Sequence, residues 1–220
     1  MSPFARAVRQ ALAAQADPAR ASGQQAYMKS AMPFLGLTRA HVRRIAHELG
    51  ADHRLDLADI ERYSRELWDQ AEHREERYAA IDLTGLRPAL GRPELVDLHE
   101  HQALTGAWWD YVDQLAHRIA ALHDADRAAA ALASRRWLAA DSFWLRRLAI
   151  LGQLGRKDRT DRELLTEAIE ANAADKEFFI RKAIGWALRD FARTDPAWVR
   201  AFADAHDLSP LARREALKHL

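Results

Sequence analysis

Apolar residues recur along this chain at intervals of three and four, and no stretch alternates with a period of two for long, so the pattern predicts helices almost throughout. The stripe Trp108, Val112, Leu115, Ile119 and Leu122, spaced 4, 3, 4 and 3, marks the buried face of a helix beginning near Gly106. Trp109 and Asp113 fall outside that stripe, about 100° round the same helix, and as i, i+4 neighbours they share a face. Breaks are expected where Gly, Pro and capping residues gather: 17–23 (DPARASG), 32–38 (MPFLGLT), 50–56, 85–94 (GLRPALGRPE), 155–160, 194–196 (TDP) and 208–210 (LSP). Thr38 is placed to cap the helix that follows the second break. About ten helices of ordinary length remain.

The helices repeat. FWLRRLAILGQL (143–154) and FFIRKAIGWAL (178–188) superpose with a shift of 35 residues. The same shift carries Phe143 and Trp144 back to Trp108 and Trp109, and one more step reaches HREERYAAIDL (73–83). A fixed helical period of this length predicts an all-α fold, a right-handed α-solenoid of irregular HEAT-like repeats with a concave basic surface. The expectation is one domain over residues 1–220.

Repeat columns separate packing from exceptions. Two adjacent columns, His73, Trp108, Phe143, Phe178 and Arg74, Trp109, Trp144, Phe179, are mostly aromatic and suit packing between repeats. The column Arg77, Val112, Arg147, Lys182 is basic in three repeats of four, and on successive helices it would form a ladder able to bind phosphates. In the column Tyr78, Asp113, Leu148, Ala183 the aspartate stands where the other repeats carry apolar or aromatic residues. A position that departs from its own repeat is where function can have overruled packing.

Composition narrows the partners. A chain of 220 residues, 49% apolar, can bury a core. No window approaches a membrane span, the first residues lack the apolar core of a secretory signal, and Arg6 and Arg9 among Phe4, Val8 and Leu12 read as a capped first helix in preference to an organellar presequence. Without cysteine there are neither disulfides nor thiolate metal sites, so a reducing, cytoplasmic setting is expected; a monomer is the simplest expectation. The net charge of +1 hides an asymmetry: residues 52–100 hold thirteen acidic side chains against seven arginines, whereas 134–162 carry a net +5 and 176–220 a net +3. Such a basic half suits a phosphate-bearing partner.

Familiar catalytic patterns are missing: no P-loop, G-x-S-x-G, H-E-x-x-H or G-x-G-x-x-G occurs, nor the spacing of a zinc finger or helix-turn-helix. His99 and His101, i and i+2 on a helix, do not face one another, so no metal is expected there, and no cofactor is called for. What remains is a set on successive repeats: Trp109 and Asp113, then Arg147 one turn after Trp144, then Trp186 one turn after Lys182. An indole stacks on a sugar or base, and a carboxylate beside it stabilises positive charge or orients water. In the packing interpretation of the same residues, Trp109 lies on a neighbouring helix and Asp113 pairs with an arginine.

The stretches YMKSAMPFLGL (27–37), RELWD (65–69), WWDYVD (108–113), WLAADSFWLRRLAIL (137–151), EFFIRKAIGWALRDFA (177–192) and LSPLARREALKHL (208–220) resemble the DNA alkylation repair glycosylases of the AlkD type, in order and through nearly the whole chain. The resemblance implies hydrolysis of the glycosidic bond of N3- and N7-alkylated purines in double-stranded DNA. It places the catalytic aspartate on Asp113, the two site tryptophans on Trp109 and Trp186, the site arginine on Arg147 and the early tyrosine near DNA on Tyr27. Among the bases of the matching stretches, Lys29, Lys182, Arg189, Arg213 and Arg214 are the implied DNA contacts. The chain departs from the family pattern in 84–104. Two rivals remain: a non-catalytic solenoid that binds distorted or branched DNA, and a peptide-binding scaffold with no affinity for duplex DNA.

Overall fold

The computed structural model describes residues 1–220, and it is all-helical. Its helices are α1 (Pro3–Ala13), α2 (Pro18–Met28), α3 (Arg39–Asp52), α4 (Leu57–Asp69), α5 (Arg74–Leu83), α6 (Val96–Gly106), α7 (Trp109–Ala125), α8 (Arg127–Leu138), α9 (Phe143–Leu151), α10 (Arg162–Glu170), α11 (Phe178–Phe191), α12 (Pro196–Ala205) and α13 (Pro210–Ala216). Single turns of 3-10 helix occupy Pro93–Leu95 and Lys157–Arg159. None of the helices is long and apolar enough to cross a membrane. The chain forms two compact units, Met1–Leu90 and Gly91–Leu220.

In the first unit α1, α3 and α4 pack around α5. The Ser2 hydroxyl accepts from the Ala5 amide at 3.2 Å, and Phe4, Val8 and Leu12 are buried, so the first residues form a capped helix of the fold. Residues 17–23, read from the sequence as a break, instead open α2: the Asp17 carboxylate caps it through the Ala19 amide, and Pro18 takes the first helical position. α2 buries none of its own side chains, which is why no apolar stripe announces it. α5 is the opposite case, for it buries Arg74, Glu75, Glu76 and Asp82 along with its apolar residues.

In the second unit α7, α9, α11 and α13 pack in succession, with α8 against α7 and α9 and α12 against α11 and α13. Their starts at Trp109, Phe143, Phe178 and Pro210 keep close to the 35-residue period. Val112, Leu115, Ile119 and Leu122 are buried as the stripe predicts, each burial contributing about 1.5–3 kcal/mol. Trp108 belongs to the cap, not the helix, and Gly106 ends α6; the turn between the two helices is made by Ala107 in the left-handed region, φ 42°. Gly106 marks the break as the last residue of α6, but nothing in the sequence pattern singles out Ala107 as the left-handed residue that makes the turn.

α11 and α13 approach most closely at Gly185, where a Cβ would lie 2.5 Å from the Glu215 Cβ and 2.8 Å from the Ala212 carbonyl oxygen. Gly185→Ala is therefore expected to lower stability by about 1–2 kcal/mol despite alanine's better helix propensity. A urea transition with an unchanged midpoint would show that α13 shifts aside at no cost.

Two histidines in this unit are buried. His99 reaches the Gln102 amide oxygen at 3.4 Å, whereas neither ring nitrogen of His123 has a hydrogen-bond partner. Burial pushes both down to about 4, with Arg156 adding to the effect at His123. Each folded ring binds fewer protons than the unfolded one. Stability is thus full above about pH 6.5 and is lost as the pH falls from there toward 4, by roughly 3 kcal/mol per ring. His123→Leu should remove about half of that acid sensitivity, read as the change in urea midpoint between about pH 7 and 5.

Candidate active site

The expected exception in the repeat, Asp113, lies one turn into α7, in the column whose members Leu148 and Ala183 are fully buried. Its side chain is 14% exposed, and the residue that answers it comes from the next repeat. Arg147, on the neighbouring α9, donates from Nε to Oδ1 at 2.9 Å and from Nη2 to Oδ2 at 3.0 Å. Its remaining terminal nitrogen, Nη1, donates to the Phe179 carbonyl oxygen on α11 at 2.6 Å. Three consecutive stacked helices therefore fix one carboxylate, held side-on by a planar fork that permits little rotation.

An aromatic cluster adjoins Arg147 through Phe179. Trp108, Trp144 and Phe179 form a mutual cluster with centroid separations of 6.2, 5.9 and 4.9 Å, and the Arg147 guanidinium carbon lies 5.9 Å from the Phe179 ring centre. This is the inter-repeat packing that the aromatic columns predict. Burial pushes the Asp113 carboxyl up to about 6, against the opposing pull of the Arg147 charge and hydrogen bonds. It is ionised at neutral pH and titrates just below it.

Trp109 opens α7 one turn before Asp113 and is half-buried; Trp186 is half-buried on α11. The structure thus brings Asp113 and Arg147 into contact and sets the two indoles on the same helix as the carboxylate and on the second helix beyond it. Trp186 makes no hydrogen bond or ring contact of its own. The sequence reading missed the Phe179 carbonyl, since a backbone acceptor leaves no trace in a residue pattern.

The basic ladder needs correction. Arg147 is 5% exposed, and its nitrogens are engaged by Asp113 and the Phe179 carbonyl. Arg77 lies half-buried over the Trp68 ring at 4.8 Å, and Lys182 pairs with Glu215 at 3.1 Å. The net charge of 134–162 is also spent internally: Arg135 meets Glu167, Arg136 meets Glu100, Arg146 meets Asp175, Arg156 and Arg159 share Asp124, and Arg162 meets Asp195. These pairs stitch each repeat to another, which a count of charges along the chain cannot reveal.

Of the other implied DNA contacts in this unit, Arg189 shares Glu215 with Lys182, Arg213 pairs with Asp204, and Arg214 is exposed without an ion pair. In the first unit Tyr27 is 75% exposed at the end of α2, and Lys29, also exposed, follows it in the left-handed region at φ 50°.

A family model for DNA alkylation repair enzymes matches residues 8–220. The chain belongs to the DNA alkylation repair enzyme family. Among solved structures, a predicted DNA alkylation repair enzyme from Enterococcus faecalis is similar at 32% identity with a TM-score of 0.83, over 94% of this chain and 97% of that one. No curated protein matches the chain. A DNA alkylation repair enzyme works on a polyanion, and this one holds the mostly buried Asp113 carboxylate in the side-on grip of Arg147.

Proposed function

We propose that this DNA alkylation repair enzyme is a monofunctional glycosylase that hydrolyses the N-glycosidic bond of N3- and N7-alkylated purines in double-stranded DNA. The observation that carries the reading is the Asp113 carboxylate, held by Arg147 at 2.9 and 3.0 Å at a position where the repeat otherwise buries apolar side chains. A carboxylate held there at the cost of desolvation has a use that packing does not supply.

Alkylation at N7 or N3 gives the purine a positive charge, so it leaves without a strong acid. As the C1′–N bond breaks, its electron pair neutralises the base and positive charge passes to the sugar. Asp113, with lone pairs beyond those the guanidinium occupies, stabilises that oxocarbenium-like sugar and orients the water whose oxygen bonds to C1′. The water's proton passes to the carboxylate or to solvent. Trp109 and Trp186 flank the deoxyribose of the damaged nucleotide. Arg147 is a positioning residue: it keeps both oxygens in place and keeps the carboxyl ionised near neutral pH.

Tyr27, Lys29 and Arg214 are exposed and meet the backbone directly, while Lys182, Arg189 and Arg213 exchange Glu215 and Asp204 for phosphates. The Arg213–Asp204 pair is exposed and contributes about 1 kcal/mol or less, so its exchange is cheap. The test is a duplex carrying a single 7-methylguanine. Free 7-methylguanine and an unbroken abasic strand are expected; duplex that is bound with the base retained would leave only a non-catalytic DNA-binding role.

A further inference from the structure

α2 carries Tyr27 and leads into Lys29, yet it buries none of its own side chains. Its position is set by the strap that follows it, residues 30–37, and that strap is fastened to a buried carboxylate. Glu75, at the start of α5 and fully buried, accepts from three consecutive backbone amides: Leu35 at 2.9 Å, Gly36 at 2.9 Å and Leu37 at 3.1 Å. Its neighbour Arg74 fastens the other end, donating from its amide to the Pro33 carbonyl at 2.9 Å and from Nη1 to the Ser30 hydroxyl at 3.3 Å.

The strap in turn holds both ends of α2. The Asp17 amide donates to the Leu35 carbonyl at 2.7 Å, and the Gln25 side chain and the Ser30 amide close the far end at 3.1 Å each. Gly36 makes the crossing possible: at φ +93° a Cβ there would fall 2.0 Å from the Asp17 carbonyl oxygen. We propose that Glu75, with Arg74 beside it, is a positioning residue for DNA binding, fixing through this strap the placement of Tyr27 and Lys29. The inference rests on the reading that those two residues meet duplex DNA. It goes beyond that reading in giving a buried carboxylate, with no access to DNA, control of the contact.

Glu75→Gln tests it, because the amide keeps the shape but sets an N–H group against a backbone N–H. The salt dependence of affinity for a fluorescent duplex is the readout. In the unmutated background Lys29→Gln is expected to lower the salt slope by about 1, as loss of one phosphate contact does. In the Glu75→Gln background Lys29→Gln should change nothing further, while the control Arg214→Ala keeps its full effect in both. An equal effect of Lys29→Gln in the two backgrounds overturns the proposal, and loss of the Arg214 effect as well shows general misfolding and overturns it too. If Glu75→Gln does not fold, Ser30→Ala takes its place with the same expectations. Hydrogen exchange at the amides of Leu35 to Leu37 gives an independent reading: faster exchange in Glu75→Gln is expected, and unchanged exchange overturns the clamp. A wild-type protein without duplex affinity would instead sink the glycosylase reading and the DNA-facing half of this inference, leaving the exchange result to decide the clamp.

Discussion

Asp113→Asn is expected to slow release of 7-methylguanine from duplex DNA by about 10²- to 10³-fold while leaving duplex affinity largely intact. The substitution keeps the size of the side chain and removes its charge. Binding draws on cations and aromatic surface elsewhere, so only the step in which the sugar becomes cationic loses its partner. The asparagine amide also faces the Arg147 fork, N–H against N–H, at a site only 14% exposed. A thermal transition recorded beside the rate separates that local cost from the chemical one: a folded, DNA-binding variant with full excision removes Asp113 from the mechanism.

Arg147→Met is the second large effect. Breaking a buried pair by removing one partner costs about 3–5 kcal/mol, because the remaining charge is left without compensation. Burial then acts on Asp113 unopposed, and its carboxyl rises further above about 6. Two consequences have definite signs. The stability loss is present at high pH and shrinks as the pH falls through the raised value, since protonation removes the buried charge. Excision at neutral pH drops and partly recovers as the pH is raised. Arg147→Lys, which keeps the charge but not the fork, should fall between the two. A variant as stable and as active as the unmutated protein at pH 7 would contradict the role given to Arg147.

Much of this was legible in the sequence, and the omissions have physical causes. The core stripe of α7 and the 35-residue period both reflect apolar side chains repeating at helical spacing, and the structure keeps them. α2 was missed because a helix without a buried face leaves no period, and its Asp17-Pro18 start reads equally well as a turn. The start of α7 near Gly106 was legible, but the left-handed conformation of Ala107 was not, because such an alanine looks like any helical alanine. Within the site, the break in the repeat column singled out Asp113, and the succession of repeats set Arg147 beside it before the resemblance named both. Their mutual bond was open to the sequence only as the packing alternative, an aspartate paired with an arginine. That alternative and the functional one describe the same contact: the pairing is what presents the carboxylate. The ion pairs that Arg147 and Lys182 make were not legible because linear charge counts ignore acids supplied by neighbouring repeats.

The account turns on a carboxylate that must be ionised to act, and the single-turnover rate of 7-methylguanine release at saturating protein, followed between about pH 4.5 and 8 with spontaneous loss subtracted, tests this most directly. The rate is expected to climb through about pH 6 and level off above it. A rate that is flat across the range, or that falls as the pH rises, would contradict it.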